Sequence, residues 1–83
     1  MTEDELIELI NTTLQNENED SEINVNVTID SEVGDDGWDS LGQLGVLAAL
    51  DCALDGKVAA IQEIGGSDSV TSLIHILKKN NLM

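Results

Sequence analysis

Ser40 lies in Gly37-Trp38-Asp39-Ser40-Leu41, between a loop of acids and an aliphatic stretch. A hydroxyl at the head of a helix has two uses. It can cap the helix: Ser40-Leu41-Gly42-Gln43 matches a capping box, with Gln43 at the reciprocal position. Alternatively Asp39 caps, and Ser40 falls in the first turn with a free, exposed hydroxyl. A phosphate attached there would face unpaired amides and the positive end of the helix dipole. Other chemistry is sparse. Cys52 is the single cysteine and reads as a small apolar residue within a helix. His75 is the single histidine, expected at the surface or edge of the last helix, with no nucleophile beside it in sequence. Asp30, Glu32, Asp35, Asp36 and Asp39 offer oxygen ligands. However, Gly34 falls where an EF-hand needs a ligand, and no glutamate closes such a loop. No His or second Cys stands at metal spacing, so no dedicated metal site is expected. Weak divalent-ion binding that relieves charge repulsion is compatible with the loop. Nothing marks a catalytic carboxylate pair, and the chain is expected not to be an enzyme.

The elements that must position Ser40 follow from periodicity. Thr2-Glu3-Asp4-Glu5 is a capping box, and Leu6, Ile7, Ile10 and Leu14 follow at helical spacing. This predicts a first helix over roughly residues 3–15, with acids at 3, 4, 5 and 8 suiting its positive end. Residues 16–22 are a polar breaker. Ile23, Val25, Val27 and Ile29 then alternate with polar residues, as in a half-buried strand. No second segment alternates in this way to pair with it. The expected form is an extended loop laying apolar side chains over helices, or else a short strand paired with another molecule.

Residues 30–39 form a turn-rich acidic loop before a second helix starting near Ser40. Leu41, Leu44, Leu47, Ala48 and Leu54 give that helix one face, which Val46 and Leu50 broaden. Gly42 and Gly45 each cost about 1 kcal/mol of helix propensity, which implies close backbone approach by a neighbour or partner. Asp55-Gly56 ends the helix. Val58 to Ile64 is expected to form a short third helix closed by Gly65-Gly66. Asp68 or Ser69 caps a last helix with Val70, Leu73, Ile74 and Leu77 inward and Lys78 and Lys79 at its negative end. The expected fold is all-α: a small four-helix bundle, the third helix short, with a long loop between the first two.

Composition bounds the partners. The 83 residues make one small domain with net charge −14. Of seventeen acids only Asp51, Asp55, Glu63 and Asp68 follow residue 40, where all three lysines also lie. Such a field excludes nucleic acid as a partner, repels anionic lipid and favours proteins with basic docking patches. The acids would equally serve to keep the chain soluble. One cysteine makes no internal disulfide, and no signal peptide or long apolar span is present. These features point to a cytoplasmic monomer that does not insert in membranes.

Asp39-Ser40-Leu41 at the head of the second of four helices, in a small acidic chain, resembles acyl carrier proteins. In that family the serine of Asp-Ser-Leu carries 4′-phosphopantetheine. The context matches as well: a long acidic loop, Leu41-x-x-Leu44-x-x-Leu47, a short helix, and Ser69-Val70-x-x-Leu73-Ile74 in the closing helix. The resemblance covers residues 27–79, and the first helix by pattern. It implies a carrier domain over residues 1–83 that performs no catalysis itself. A separate Mg²⁺-dependent phosphopantetheinyl transferase would use Ser40 as nucleophile on coenzyme A. The arm's thiol would hold an acyl group as a thioester for fatty-acid-like, lipid or secondary-metabolite synthesis. In fatty-acyl carriers a helical cavity can shelter that chain. The implied partners are an acyl-loading ligase or acyltransferase and downstream synthases. Asp39 would act as the cap beside the attachment site. Leu41 and Leu44 would be apolar contacts, Asp51 and Asp55 charge contacts, and Trp38 either a loop anchor or a partner contact.

The departures carry information. Family members that serve fatty-acid synthesis usually place acids along the second helix, where this chain has Gly42, Gln43 and Gly45. The chain also lacks the usual proline after that helix. Gly37-Trp38-Asp39-Ser40-Leu41-Gly42 is more similar to stand-alone carriers of specialised pathways. An aminoacyl or peptidyl carrier is the alternative within the family. Outside it, the alternative is an unmodified acidic adaptor or divalent-ion-binding module whose Ser40 only caps a helix.

Overall fold

A computed structural model describes residues 1–19, 25–35 and 37–83. Three α-helices carry the fold: α1 (Glu3–Glu17), α2 (Ser40–Ala53) and α3 (Val70–Lys79). A 3-10 helix (Gln62–Gly66) stands between the last two. The described residues contain no strand, only two isolated bridges.

The capping box at Thr2 forms as expected. The Glu5 N–H donates to Thr2 Oγ1 at 3.2 Å, and the Thr2 N–H donates to Glu5 Oε1 at 3.0 Å. That second bond favours the ionised carboxylate and holds Glu5 below the ordinary carboxylate value. Helix α1 runs to Glu17 and buries Leu6, Ile10 and Leu14.

Helix α2 begins at Ser40 but is rotated relative to the expected face. Its buried residues are Gly42, Gln43, Val46 and Leu50, whereas Leu41 is 70% and Leu44 65% exposed. The two glycines give the reason. A Cβ on Gly42 would lie 2.8 Å from Leu14 Cδ2, and one on Gly45 2.5 Å from Glu17 Oε1. The missing side chains let the last turns of α1 press against the first turns of α2, and that contact turns the glycine side inward. The close approach expected at these positions is therefore made by α1.

The expected third helix over residues 58–64 is absent as an α-helix. Asp55 and Gly56 take positive φ (57° and 78°) after the last turn of α2. Asp51 Oδ1 then accepts the Ala59 N–H at 2.7 Å, which ties down the chain just past the turn. Only the later Gln62–Gly66 coils, and as the tighter 3-10 form. It has no side-chain cap and closes on two glycines, which are poor helix formers. Val58 and Ile64 still reach the core from this segment.

The long loop is only partly the expected one. Val25 and Val27 lie in the core, and their backbone amides donate to Gln15 Oε1 and Asn11 Oδ1 of α1. Ile29 breaks the alternation at 43% exposed, and Ile23 lies outside the described residues. Further on, the Val33 N–H donates to the Asp68 carbonyl at 2.7 Å and the Val70 N–H to the Ser31 carbonyl at 3.0 Å. These bonds clip the loop to the start of α3. Ser69 caps that helix, accepting the Ser72 N–H at 3.1 Å. Val70, Leu73, Ile74, Ile76 and Leu77 pack inward. The core thus joins one face of each helix to Trp38, the two loop valines, Val58 and Ile64. Among the described residues no helix is long and apolar enough to cross a membrane.

Candidate functional site at the start of α2

The acidic loop folds back on itself to deliver Ser40. The Glu32 N–H donates to Asp35 Oδ2 at 2.9 Å, and the Trp38 N–H to the Asp35 carbonyl at 3.0 Å. The Gly34 N–H returns to the Trp38 carbonyl at 2.8 Å. Gly37 takes φ 85°, a conformation that side chains disfavour. Its carbonyl accepts from Asn18 Nδ2 at 2.8 Å, and the same Nδ2 donates to the Leu14 carbonyl at 2.8 Å. The end of α1 therefore fixes the point from which α2 departs.

Asp39 caps α2 from an extended backbone, with Oδ1 accepting the Gly42 N–H at 2.8 Å. Ser40 is therefore the first helical residue and not the cap. The Ser40-Gln43 capping box is not made, because Gln43 turns inward. Ser40 is exposed, and no hydrogen bond among the described residues occupies its hydroxyl. The first amides of any helix lack partners within it, and here the Asp39 carboxylate takes only that of Gly42. The hydroxyl thus stands at an electropositive helix end with room around it.

Gln43 is the residue whose role the sequence concealed. It is 9% exposed and sits at the centre of a buried polar chain. Trp38 Nε1–H donates to Gln43 Oε1 at 2.9 Å. Gln43 Nε2 donates to the Ser67 carbonyl at 2.9 Å and to Ser67 Oγ at 3.2 Å. Ser67 Oγ–H in turn donates to the Ile64 carbonyl at 2.6 Å. The chain links the loop, α2 and the 3-10 helix. Among the described residues no buried side-chain nitrogen or oxygen is left without a partner. Two cues pointed toward it. A lone tryptophan needs an acceptor for its indole N–H, and Gln43 is the one amide side chain in a mostly apolar helix.

Beside Ser40 lies an open groove of ≈ 360 Å³, with Val33, Leu44 and Leu47 as apolar walls. Gln43, Gly65, Ser67 and Asp68 complete its lining. Ser67 and Val33 were not among the expected site residues. The loop-to-α3 bonds that bring them there are backbone bonds with no side-chain signature.

The expected site residues separate into two groups. Trp38, Asp39, Ser40, Leu41 and Leu44 are together at one end of α2. Trp38 is 2% exposed, so it anchors the loop and has no surface to offer a partner. Leu41 and Leu44 are the most exposed large apolar side chains described. Asp51 and Asp55 lie at the opposite end of α2. Asp51 is engaged by Ala59, and Asp55 is exposed at a left-handed backbone position. Cys52 and His75 are exposed on α2 and α3. Among the described residues no group of three or more His, Cys, Asp or Glu side chains could hold a metal ion.

Comparisons with protein-family models, with curated proteins and with solved structures found no match.

Proposed function

We propose that this chain is an acyl carrier domain that bears 4′-phosphopantetheine on Ser40. On this reading the three helices and the 3-10 helix correspond to the four helices of a carrier bundle. The observation that carries the proposal is the division of labour at the head of α2. Asp39 does the capping, which leaves the Ser40 hydroxyl exposed and unbonded at the first helical position. A serine kept only as a cap would itself accept an amide, as Ser69 does in α3.

The residues present fit such a group. The free first-turn amides favour a phosphodiester at this position, and Asp39 and Asn18 hold the backbone that presents it. The arm would supply a thiol that holds an acyl group as a thioester. The domain supplies the address. Leu41 and Leu44 give an apolar contact beside Ser40, and acids of the preceding loop favour basic partner surfaces. Partners on this reading are a phosphopantetheinyl transferase, a loading ligase or acyltransferase, and downstream synthases of the cytoplasm.

The test is intact-mass measurement after co-expression with a broad-specificity phosphopantetheinyl transferase, with Ser40→Ala as control. The wild type gains one phosphopantetheine and the variant none. No gain on the wild type, or an equal gain on Ser40→Ala, overturns the proposal and leaves an unmodified acidic module.

A further inference from the structure

We infer that Gln43 acts as a bolt that keeps anything carried on Ser40 in the surface groove and out of the core, which suits the carrier to short cargo. The identity of the cargo rests on the carrier reading above; the bolt itself rests on geometry alone. The groove beside Ser40 is bounded on one side by α2, through Leu44 and Leu47, and on the other by the 65–68 segment. A chain growing from residue 40 reaches the core only by parting those two sides. Gln43 spans the gap: its Nε2 holds both the carbonyl and the hydroxyl of Ser67, while its Oε1 holds the indole N–H of Trp38.

All of these groups are buried, with Gln43 9%, Ser67 6% and Trp38 2% exposed. Parting them would break the bond from the Trp38 indole to Gln43 Oε1 and both bonds from Gln43 Nε2 to Ser67, where water has little access, which is costly. Beyond the bolt lies packed core, and the cavity of ≈ 220 Å³ between Trp38, Leu14, Val25 and Val27 has a lining separate from that of the groove beside Ser40. Leu14, Val46, Leu50, Leu73 and Leu77 are fully buried in one continuous core. A short acyl group finds Val33, Leu44 and Leu47 without disturbing any of this. A long one gains nothing further unless the bolt breaks, so its outer carbons stay in water.

The test needs neither the arm nor a transferase, so it can fail independently of the carrier reading. A Ser40→Cys, Cys52→Ala protein is coupled to alkyl methanethiosulfonates from methyl to dodecyl. Melting temperature and Trp38 emission are then read against chain length. In this background the melting temperature changes by less than about 2 °C across the series, and Trp38 emission stays fixed. Adding Gln43→Ala opens the lining of the groove. The dodecyl adduct then melts at least about 5 °C above the methyl adduct, the size of shift that roughly one kcal/mol gives a domain of this length. A melting temperature that climbs equally with and without Gln43 overturns the inference, as does a series that stays flat in both. Should Gln43→Ala not fold, the background protein still decides: a shift of Trp38 emission with chain length shows that long chains pass Gln43, and overturns it.

Discussion

Gly42 and Gly45 lie one turn apart on α2, and the contact between α1 and α2 predicts opposite outcomes when each becomes alanine. In a helix interior alanine is favoured over glycine by about 0.8–1.0 kcal/mol. At Gly45 the new Cβ would meet Glu17 Oε1 at 2.5 Å, with Thr13 Cγ2 at an ordinary 3.6 Å. Glu17 is exposed in the last turn of α1, so its carboxylate can swing into water at little cost. Most of the propensity gain survives, and Gly45→Ala stabilises the domain by about 0.5–1 kcal/mol, or roughly 2–8 °C in Tm. At Gly42 the Cβ would lie 2.8 Å from Leu14 Cδ2 and 3.4 Å from the capping Asp39 Oδ1. Leu14 is fully buried, so its methyl group has nowhere free to go. Overpacking of this kind costs about 1–3 kcal/mol, so Gly42→Ala is neutral to destabilised by about 2 kcal/mol. Urea unfolding followed by Trp38 fluorescence and helical circular dichroism measures both. The ranking Gly45→Ala, wild type, Gly42→Ala is the expected result. A destabilised Gly45→Ala, or two substitutions of equal sign and size, refutes the packing of α1 on α2 described above.

Leu41→Ser and Leu44→Ser should change unfolding free energy by no more than about 0.5 kcal/mol, as exposed sites do, whereas Leu50→Ala should cost about 2–5 kcal/mol; equal costs would return the leucine row to the core. Asp39→Ala removes the α2 cap and should cost about 0.5–2 kcal/mol, while Asp39→Asn, which keeps an acceptor, should recover most of it in the same denaturation assay. The folded-state value of Glu5 is depressed, so its contribution to stability is complete above the ordinary value of 4.5 and is lost as pH falls through the lower folded value. A carboxyl titration by NMR should show that depression, and Thr2→Ala should lessen it without removing it, because the backbone N–H at position 2 still donates to the carboxylate. Raising ionic strength from ~10 mM to ~150 mM shortens the screening length from about 30 Å to 8 Å and should raise Tm; a flat response would mean that the acids of residues 1–39 are too dispersed to repel.

Helix α1 was legible in the sequence almost to the residue, because its signals are local: a capping box, then Leu6, Ile10 and Leu14 at helical spacing. The ends of α2 and the cap of α3 were legible for the same reason. The facing of α2 was not. Periodicity finds apolar residues but does not say which stripe is buried when a helix is apolar almost all round, and in α2 two glycines outvoted Leu41 and Leu44 by admitting α1. The short third helix failed because a bond from the Ala59 N–H to Asp51 Oδ1 overrides local propensity. The pairing of residues 31–33 with 68–70 was invisible for a related reason, since it consists of backbone hydrogen bonds between distant segments. At the candidate site, spacing put the head of the helix at Asp39-Ser40 but left open which of the two caps it; the resemblance to carrier proteins, not spacing, pointed to Asp39 as the cap. Gln43 could not be placed, because its partner Ser67 lies 24 residues on, in another segment.

Each lysine lies at or just beyond the far end of a helix whose other end is beside Ser40. Lys78 and Lys79 close α3, which begins next to the groove, and they reach Glu3 and Glu63 at 3.9 and 3.0 Å. Lys57 follows the end of α2, which itself begins at Ser40. A helix of 10–14 residues is about 15–21 Å long, so all three cations are removed from a pole that carries only acids. The molecule is therefore an electric dipole as well as an anion. In dilute salt a basic surface does not only draw it in; it exerts a torque that turns the Ser40 end forward before contact. Reversing one distant charge, as in Lys57→Glu, adds to the overall attraction yet shrinks that torque, so capture and alignment become separable quantities.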